Sequence, residues 1–347
     1  MSAPARNVRV LLVDDSDMSR AAVEVILRDA PGMEVVGTAR DGDEALRTVD
    51  RVRPDLVLLD LQMPRMDGFT FLRLLMARCP TPVLVVSSNP REQDVFKALD
   101  LGALDFLAKP AVGGAPEDFR EELLDKVETL RQLRLEHLGP PRPAGPLAAV
   151  RPEQLRVAVL GASTGGPHTL RQLLATLPRD LPLALVVAQH MPERFTATFA
   201  ERLARTTSFT AKEAESGDLV VPGRVLVAPG GRHLELVRGP DGVRAEVRPA
   251  DPGRSGSRYA PSVDRLLASA AAALGPRACG VVLTGMGQDG AEGILAVKRA
   301  GGLTLAESSA SAVVYGMPQS AVATGAVDEE LDLAGLAARL ARFARTP

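Results

Sequence analysis

Apolar residues along this chain fall into short Val/Leu/Ile blocks, separated by stretches with apolar positions every three or four residues. The first half runs VRVLLVDD (8–15), a helix predicted from about Ser19, then MEVVGTA (33–39) and a helix near DGDEALRTV (41–49). DLVLLDL (55–61) comes next, then a helix near FTFLRLLMAR (69–78), PVLVVSS (82–88) and a helix near EQDVFKALDLG (92–102). The series closes with DFLAKP (105–110) and a helix near 117–138. Blocks without polar alternation read as strands buried on both faces, and their alternation with amphipathic helices predicts a parallel sheet. Five such units fit a doubly wound, flavodoxin-like fold.

GPPRPAGPLAAVRP (139–152) cannot continue a helix and predicts a linker. A second α/β series then begins with RVAVLGAS (156–163) and LALVVAQHM (183–191), and ends with CGVVLTGMG (279–287) and LTLAESS (303–309). Between them, residues 223–247 carry turn signals between alternating apolar runs, which predicts a β-hairpin interrupting a mainly parallel sheet. The expected division is a domain over 1–138, a linker over 139–152 and a second domain over 153–347. A length of 347 residues agrees with two domains.

Composition narrows the function classes. A net charge of −2 argues against a nucleic-acid partner held by overall charge. No apolar run approaches the roughly 20 residues that span a bilayer. The opening MSAPARNVRVLLVDD lacks a secretory signal's apolar core, so a cytoplasmic protein without membrane insertion is expected. Cys79 and Cys279 each adjoin an apolar segment and are expected to be reduced and buried.

In a doubly wound sheet, the loops at the strands' carboxyl ends build the site. In the first domain those ends carry Asp14 and Asp15, Asp60, Ser87, and Lys109. Crowded carboxylates repel unless a cation sits among them, and hard oxygen ligands suit Mg²⁺. A hydroxyl and an ammonium facing the same pocket suit a phosphoryl group.

In the second domain the turn GASTGG (161–166) admits three readings. A dinucleotide site would want an acid at the end of the next strand, but that strand ends in Gln189-His190. A Ser that only caps a helix is the plain structural reading. The third is a nucleophile elbow, G-x-S-x-G, displaying Ser163. That reading needs a base and a group to orient it. His190 ends the neighbouring strand on the same edge; His137 adjoins the linker, His168 lies one turn into the helix, and His233 falls in the hairpin. Asp289, in the Gly-rich loop after CGVVLTGMG, could orient His190, cap its own helix, or do both. Backbone N–H groups at Thr164 and Gly165, and one from the loop 285–287, could hold an oxyanion. The order Ser, His, Asp differs from the Ser, Asp, His order of α/β-hydrolases.

The motifs VLLVDDSDMSR, DLVLLDLQMPRMDG, VVSS and DFLAKP resemble those of two-component receiver domains over about residues 6–130. The resemblance implies that Asp60 accepts a phosphoryl group from a histidine kinase. It implies a Mg²⁺ site formed by Asp14, Asp15, Asp60 and the main-chain carbonyl of Gln62. Ser87 and Lys109 would contact phosphoryl oxygens, and Phe106 occupies the family's switch-aromatic position. The motifs GASTGGP, AQHMP, APGGRHL, SVDRLLASAA, LTGMGQDGAEG and VYGMP, in order over about 153–345, resemble the CheB-type protein-glutamate methylesterase and glutaminase family. That resemblance implies Ser163, His190 and Asp289 as the catalytic residues, with Thr164 and Met286 in support. It implies a γ-glutamyl methyl ester on a cytoplasmic chemoreceptor segment as substrate, glutamine deamidation as a second activity, and no metal in the ester chemistry. A kinase of the CheA type would phosphorylate the receiver and so relieve its restraint on the hydrolase cleft. A monomer is favoured. Two other classes stand beside this one: a non-catalytic module docking on receptors or kinase, and a DNA-binding output. The second lacks support, because no helix-turn-helix with a basic recognition face is present.

Overall fold

The computed structural model describes residues 7–28, 30–88, 91–110, 116–130, 155–178, 181–250 and 259–345. The expected linker over 139–152 and His137 lie outside them. The chain divides into two compact units, Met1–Leu135 and Glu136–Pro347.

The first unit is an open sheet of β1 (Val8–Val13), β2 (Met33–Ala39), β3 (Leu56–Leu59), β4 (Val83–Ser87) and β5 (Asp105–Ala108), in the order β2-β1-β3-β4-β5. All of its pairings are parallel. Helices α1 (Asp17–Arg28), α2 (Gly42–Val52), α3 (Gly68–Arg78), α4 (Glu92–Asp100) and α5 (Pro116–Leu130) connect or follow the strands. The central strands β3 and β4 are buried at every residue, as unbroken apolar runs require. Two helix starts are fixed by aspartates whose side chains accept backbone N–H groups: Asp41 from Glu44, and Asp67 from Thr70. The order reverses between β1 and β3, which places the ends carrying Asp14 and Asp60 side by side. Cys79 departs from expectation. It forms the exposed C-cap of α3, beyond the apolar face, whereas Cys279 is buried.

The second unit holds seven parallel strands in the order β14-β13-β12-β6-β7-β9-β8. They are β6 (Arg156–Ala162), β7 (Leu183–Gln189), β8 (Thr210–Glu213), β9 (Arg224–Val227), β12 (Ala278–Val282), β13 (Leu303–Glu307) and β14 (Glu329–Leu331). The hairpin is a separate antiparallel pair, β10 (Arg232–Gly239) and β11 (Gly242–Pro249), turning through Pro240 and Asp241. The run 224–227, read with the hairpin from sequence, instead joins the parallel sheet beside β7. Helices α6 (Gly166–Thr176), α7 (Glu193–Thr206), α8 (Val263–Leu274), α9 (Ala291–Arg299), α10 (Met317–Ala323) and α11 (Leu333–Arg345) complete the unit. The hairpin is seated on α8: Leu236 N–H donates to Ser269 Oγ at 2.9 Å, and Arg265 pairs with Glu235 at 2.6 Å. Among the described residues, no helix is long and apolar enough to cross a membrane.

Candidate functional site

In the second unit the chain leaves β6 toward one side of the sheet, then returns to build the other side from β12 onward. The reversal lies between β6 and β12, and ligand sites form where strand order reverses. Ala162 pairs with Gln189 across β6 and β7, and Gly161 with Val282 across β6 and β12. The next residues, Ser163, His190 and the loop after β12, therefore emerge together on one edge.

The turn holding Ser163 is anchored through its backbone. Ser163 N–H donates to the Thr284 carbonyl at 3.0 Å, and its carbonyl accepts from Gly166 N–H and Gln189 Nε2, both at 2.8 Å. Gly165 has φ 78°, a left-handed conformation that suits glycine. At Gly166 a Cβ would lie 2.0 Å from Gln189 Oε1 and 2.8 Å from Ala162 Cβ. Gly166→Ala is therefore expected to push the Gln189 amide off the Ser163 carbonyl. A stability loss of about 1–3 kcal/mol, read by denaturant unfolding, is the expected result. An unchanged midpoint would show that the amide can move without cost.

His190 Nε2 lies 2.8 Å from Asp289 Oδ2, and both side chains are mostly buried. Burial alone would raise the Asp289 carboxyl. The hydrogen bond and charge of His190, together with the N–H groups of Asp264 and Val263, outweigh it and hold Asp289 below its ordinary value. An ionised carboxylate only accepts, so Nε2 carries the proton, and in a neutral ring the basic nitrogen is then Nδ1. Among the described residues Nδ1 is buried without a hydrogen-bond partner, and so has no link to Ser163 Oγ in this arrangement. Such contacts are often loose before substrate binds.

Asp289 does not cap its own helix. It lies at the start of α8, where Oδ1 accepts from Ser262 Oγ (3.1 Å) and Asp264 N–H (2.9 Å), and Oδ2 accepts from Val263 N–H (2.8 Å). Asp264 in turn reaches the start of α9, accepting from Gly290 N–H at 2.8 Å and Gly293 N–H at 2.7 Å. Each helix thus begins on a carboxylate belonging to the other. Burial, reinforced by the charge of Asp289, pushes Asp264 up to about 6 against the pull of those two N–H groups.

The remaining candidates divide clearly. Thr164 is buried, and its N–H and that of Gly165 have no acceptor among the described residues. Gly285 passes so near Ser163 that a Cβ there would meet Ser163 Cβ at 2.8 Å, which brings the Gly285–Met286 backbone to the nucleophile turn. His233 is buried and accepts Ser262 N–H on Nδ1 at 3.2 Å, a bracing role distant in kind from a base. His168 belongs to α6; burial and Arg171 lower its proton affinity. Tyr259, which belongs to no catalytic motif, stacks its ring on His190 with centroids 4.2 Å apart and planes 12° from parallel. Its position just before SVDRLL, the segment that embraces Asp289, was the available signal.

In the first unit, Asp14 and Asp60 are buried and Asp15 is exposed. Each offers one oxygen within 4.8 Å of the others, a hard donor set that fits Mg²⁺. Lys109 Nζ donates to Asp14 Oδ2 at 2.6 Å and also to Asp60 Oδ2. Burial alone would lower Lys109, but the two carboxylates outweigh it and raise its proton affinity. Gln62 N–H donates to Asp60 Oδ1 at 3.1 Å. Ser87 and Phe106 are buried on the adjacent strands β4 and β5. The edge thus gathers the acids, the hydroxyl and the ammonium expected there.

Comparison with known proteins agrees with both halves. Residues 158–340 match the CheB methylesterase family, and residues 10–121 match the response regulator receiver domain. The chain is 61% identical over 98% of its length to protein-glutamate methylesterase/protein-glutamine glutaminase 6 of Anaeromyxobacter dehalogenans, covering 97% of that protein. It is 46% identical over 97% of its length to protein-glutamate methylesterase/protein-glutamine glutaminase 1 of Myxococcus xanthus, again covering 97%. Among solved structures it is similar to the methylesterase catalytic domain of Thermotoga maritima CheB, with 38% identity and a TM-score of 0.52, over 54% of this chain and 97% of that one. On these matches the chain, a receiver domain followed by a catalytic domain, belongs to the CheB methylesterase family.

Proposed function

We propose that this protein hydrolyses glutamate γ-methyl esters on the cytoplasmic domains of chemoreceptors, releasing methanol, and deamidates specific receptor glutamines. The observation that carries this reading is the His190–Asp289 hydrogen bond at the sheet edge where Ser163 emerges. Ser163 Oγ attacks the ester carbonyl while His190 Nδ1 takes its proton. Asp289 holds the Nε2–H tautomer and stabilises the imidazolium that forms. The oxyanion rests against the N–H groups of Thr164 and Gly165 and the backbone near Met286, where the dipole of α6 adds to its stabilisation. Methanol leaves with the proton from His190. Water then gives a proton to His190 and attacks the acyl-enzyme, freeing glutamate and returning the proton to Ser163. On glutamine the same steps release ammonia.

Regulation belongs to the receiver. Asp60 is the phosphoacceptor in this reading, with a CheA-type histidine kinase as donor in the cytoplasm. Asp14, Asp15, Asp60 and the main-chain carbonyl of Gln62 would hold Mg²⁺, which when bound offsets the charge of the acids and the incoming phosphoryl group. Lys109 and Ser87 would contact phosphoryl oxygens. Asp60→Asn is expected to abolish the mobility shift on a phosphate-affinity gel after treatment with acetyl phosphate and Mg²⁺. An equal shift in the variant would assign the phosphate elsewhere.

The test of the whole reading is methanol release from methylated receptors, with and without a phosphodonor. A non-catalytic docking module would release none under either condition.

A further inference from the structure

Glu307 ends β13 with no exposed surface. A carboxylate so placed is costly unless it serves its neighbours. Its two oxygens have separate donors: Thr284 N–H reaches Oε2 at 2.8 Å, and Ser311 Oγ reaches Oε1 at 3.0 Å. The charged groups on neighbouring elements are engaged elsewhere. Lys298 pairs with Asp328, Arg339 with Glu329, and Tyr315 donates to Glu330 at 2.5 Å.

Thr284 joins Glu307 to the nucleophile turn. Its carbonyl accepts Ser163 N–H at 3.0 Å. Its hydroxyl donates to the Thr164 carbonyl at 2.9 Å and accepts Val314 N–H at 2.8 Å. The next residue, Gly285, donates to the Val314 carbonyl at 3.1 Å and accepts from Met317 N–H at 2.7 Å. One residue therefore touches both members of the nucleophile turn and leads directly into the Met286 backbone. His190 and Asp289 hold the base; the pair touches the turn only through His190 N–H, which donates to the Ala162 carbonyl at 3.0 Å.

We infer that Glu307 is a positioning residue for hydrolysis: through Thr284 it fixes the Ser163–Thr164 turn in register with the Gly285–Met286 backbone. The inference rests on Ser163 being the nucleophile. Its geometry also explains why the acid survives in the core. The two bonds come from a backbone amide and a hydroxyl: a neutral carboxyl keeps its carbonyl oxygen for Thr284 N–H and can give its own proton to Ser311 Oγ, which turns to accept it. Burial pushes Glu307 up to about 7, against the weaker pull of Thr284 N–H and Ser311 Oγ. The folded protein therefore keeps this proton over a range where the unfolded chain has released it, from the ordinary 4.5 upward. Wild-type stability should fall as pH rises through that window.

Methanol release from a methylated receptor fragment, with kcat and KM measured separately, tests the inference in the full-length protein. Glu307→Leu removes both acceptors; kcat is expected to fall on the order of 10²-fold, the scale of a misplaced reacting group, with KM within about twofold. Glu307→Gln keeps an acceptor for Thr284 N–H and offers its amide to Ser311 Oγ. It should hold kcat within about threefold of wild type, and its unfolding midpoint should decline less steeply between about pH 5 and 7, keeping only the share that Asp264 contributes. Thr284→Val, nearly isosteric, cuts the link to Thr164 and should reproduce the kcat loss of Glu307→Leu; it carries the test if the Leu variant does not fold. Either disruptive variant, folded by circular dichroism and with wild-type kcat, overturns the inference, as does a Gln variant as slow as the Leu variant. Ser163→Ala is assayed in parallel. If it retains turnover, the nucleophile assignment fails, whatever Glu307 does.

Discussion

Ser163→Ala is expected to abolish methanol release without disturbing the fold. The structure explains how the two effects separate. Every hydrogen bond that anchors the turn at Ser163 runs through its backbone, to Thr284, Gly166 and Gln189. The hydroxyl makes no hydrogen bond among the described residues, so its loss removes no support from β6 or α6. Catalysis, by contrast, loses its nucleophile, and His190 has nothing to deprotonate. In serine hydrolases such a loss is on the order of 10⁶-fold in kcat, leaving only what oxyanion donors and binding supply. A gas-chromatographic methanol assay checks it, with unfolding curves beside it. Turnover near wild type would remove Ser163 from the mechanism.

Asp289→Asn should lose on both counts. Each carboxylate oxygen accepts a backbone N–H of α8, Oδ1 from Asp264 and Oδ2 from Val263. An amide has one oxygen, so in either orientation its NH₂ faces an N–H donor. If the NH₂ faces Val263, it also faces His190 Nε2 and forces the proton onto Nδ1, the nitrogen that must accept from Ser163. If it faces Asp264, the tautomer survives but the charge that stabilises imidazolium is gone. A kcat loss approaching 10⁴-fold is expected from the tautomer effect. A stability loss of about 1–3 kcal/mol comes from the unsatisfied donor. Kinetics and denaturant melts on the same preparation separate the two. A variant slow but fully stable would mean that the start of α8 does not depend on Asp289.

Sequence made the buried architecture plain. Predominantly apolar runs at β1, β3, β4, β6 and β7 announced parallel strands, and their carboxyl ends announced both sites. What it concealed lies at edges and across long separations. β8 (TAKE) and β14 (EEL) carry little apolar signal because edge strands face solvent. β9 looked like part of the hairpin because turn residues flank it on both sides, and only the sheet decides its partner. Asp289 stood at a helix start in the sequence, and its own helix was the natural guess; the helix it caps begins 26 residues earlier, at Val263. Tyr259 and Glu307 carry no motif of their own. Their partners, His190 and Thr284, lie far away in the chain, where periodicity has no reach.

The crossed caps of α8 and α9 have a consequence for variation. A residue used only for chemistry can be replaced while the protein still accumulates in the cell; Ser163 is of that kind. Asp289 is not, because helix α8 starts on the same carboxylate that orients His190. In a library of variants scored only by abundance, position 163 should tolerate small residues, while position 289 should be depleted alongside the hydrophobic core. Drift could therefore silence the nucleophile and leave an intact protein, but the orienting acid is guarded by folding itself.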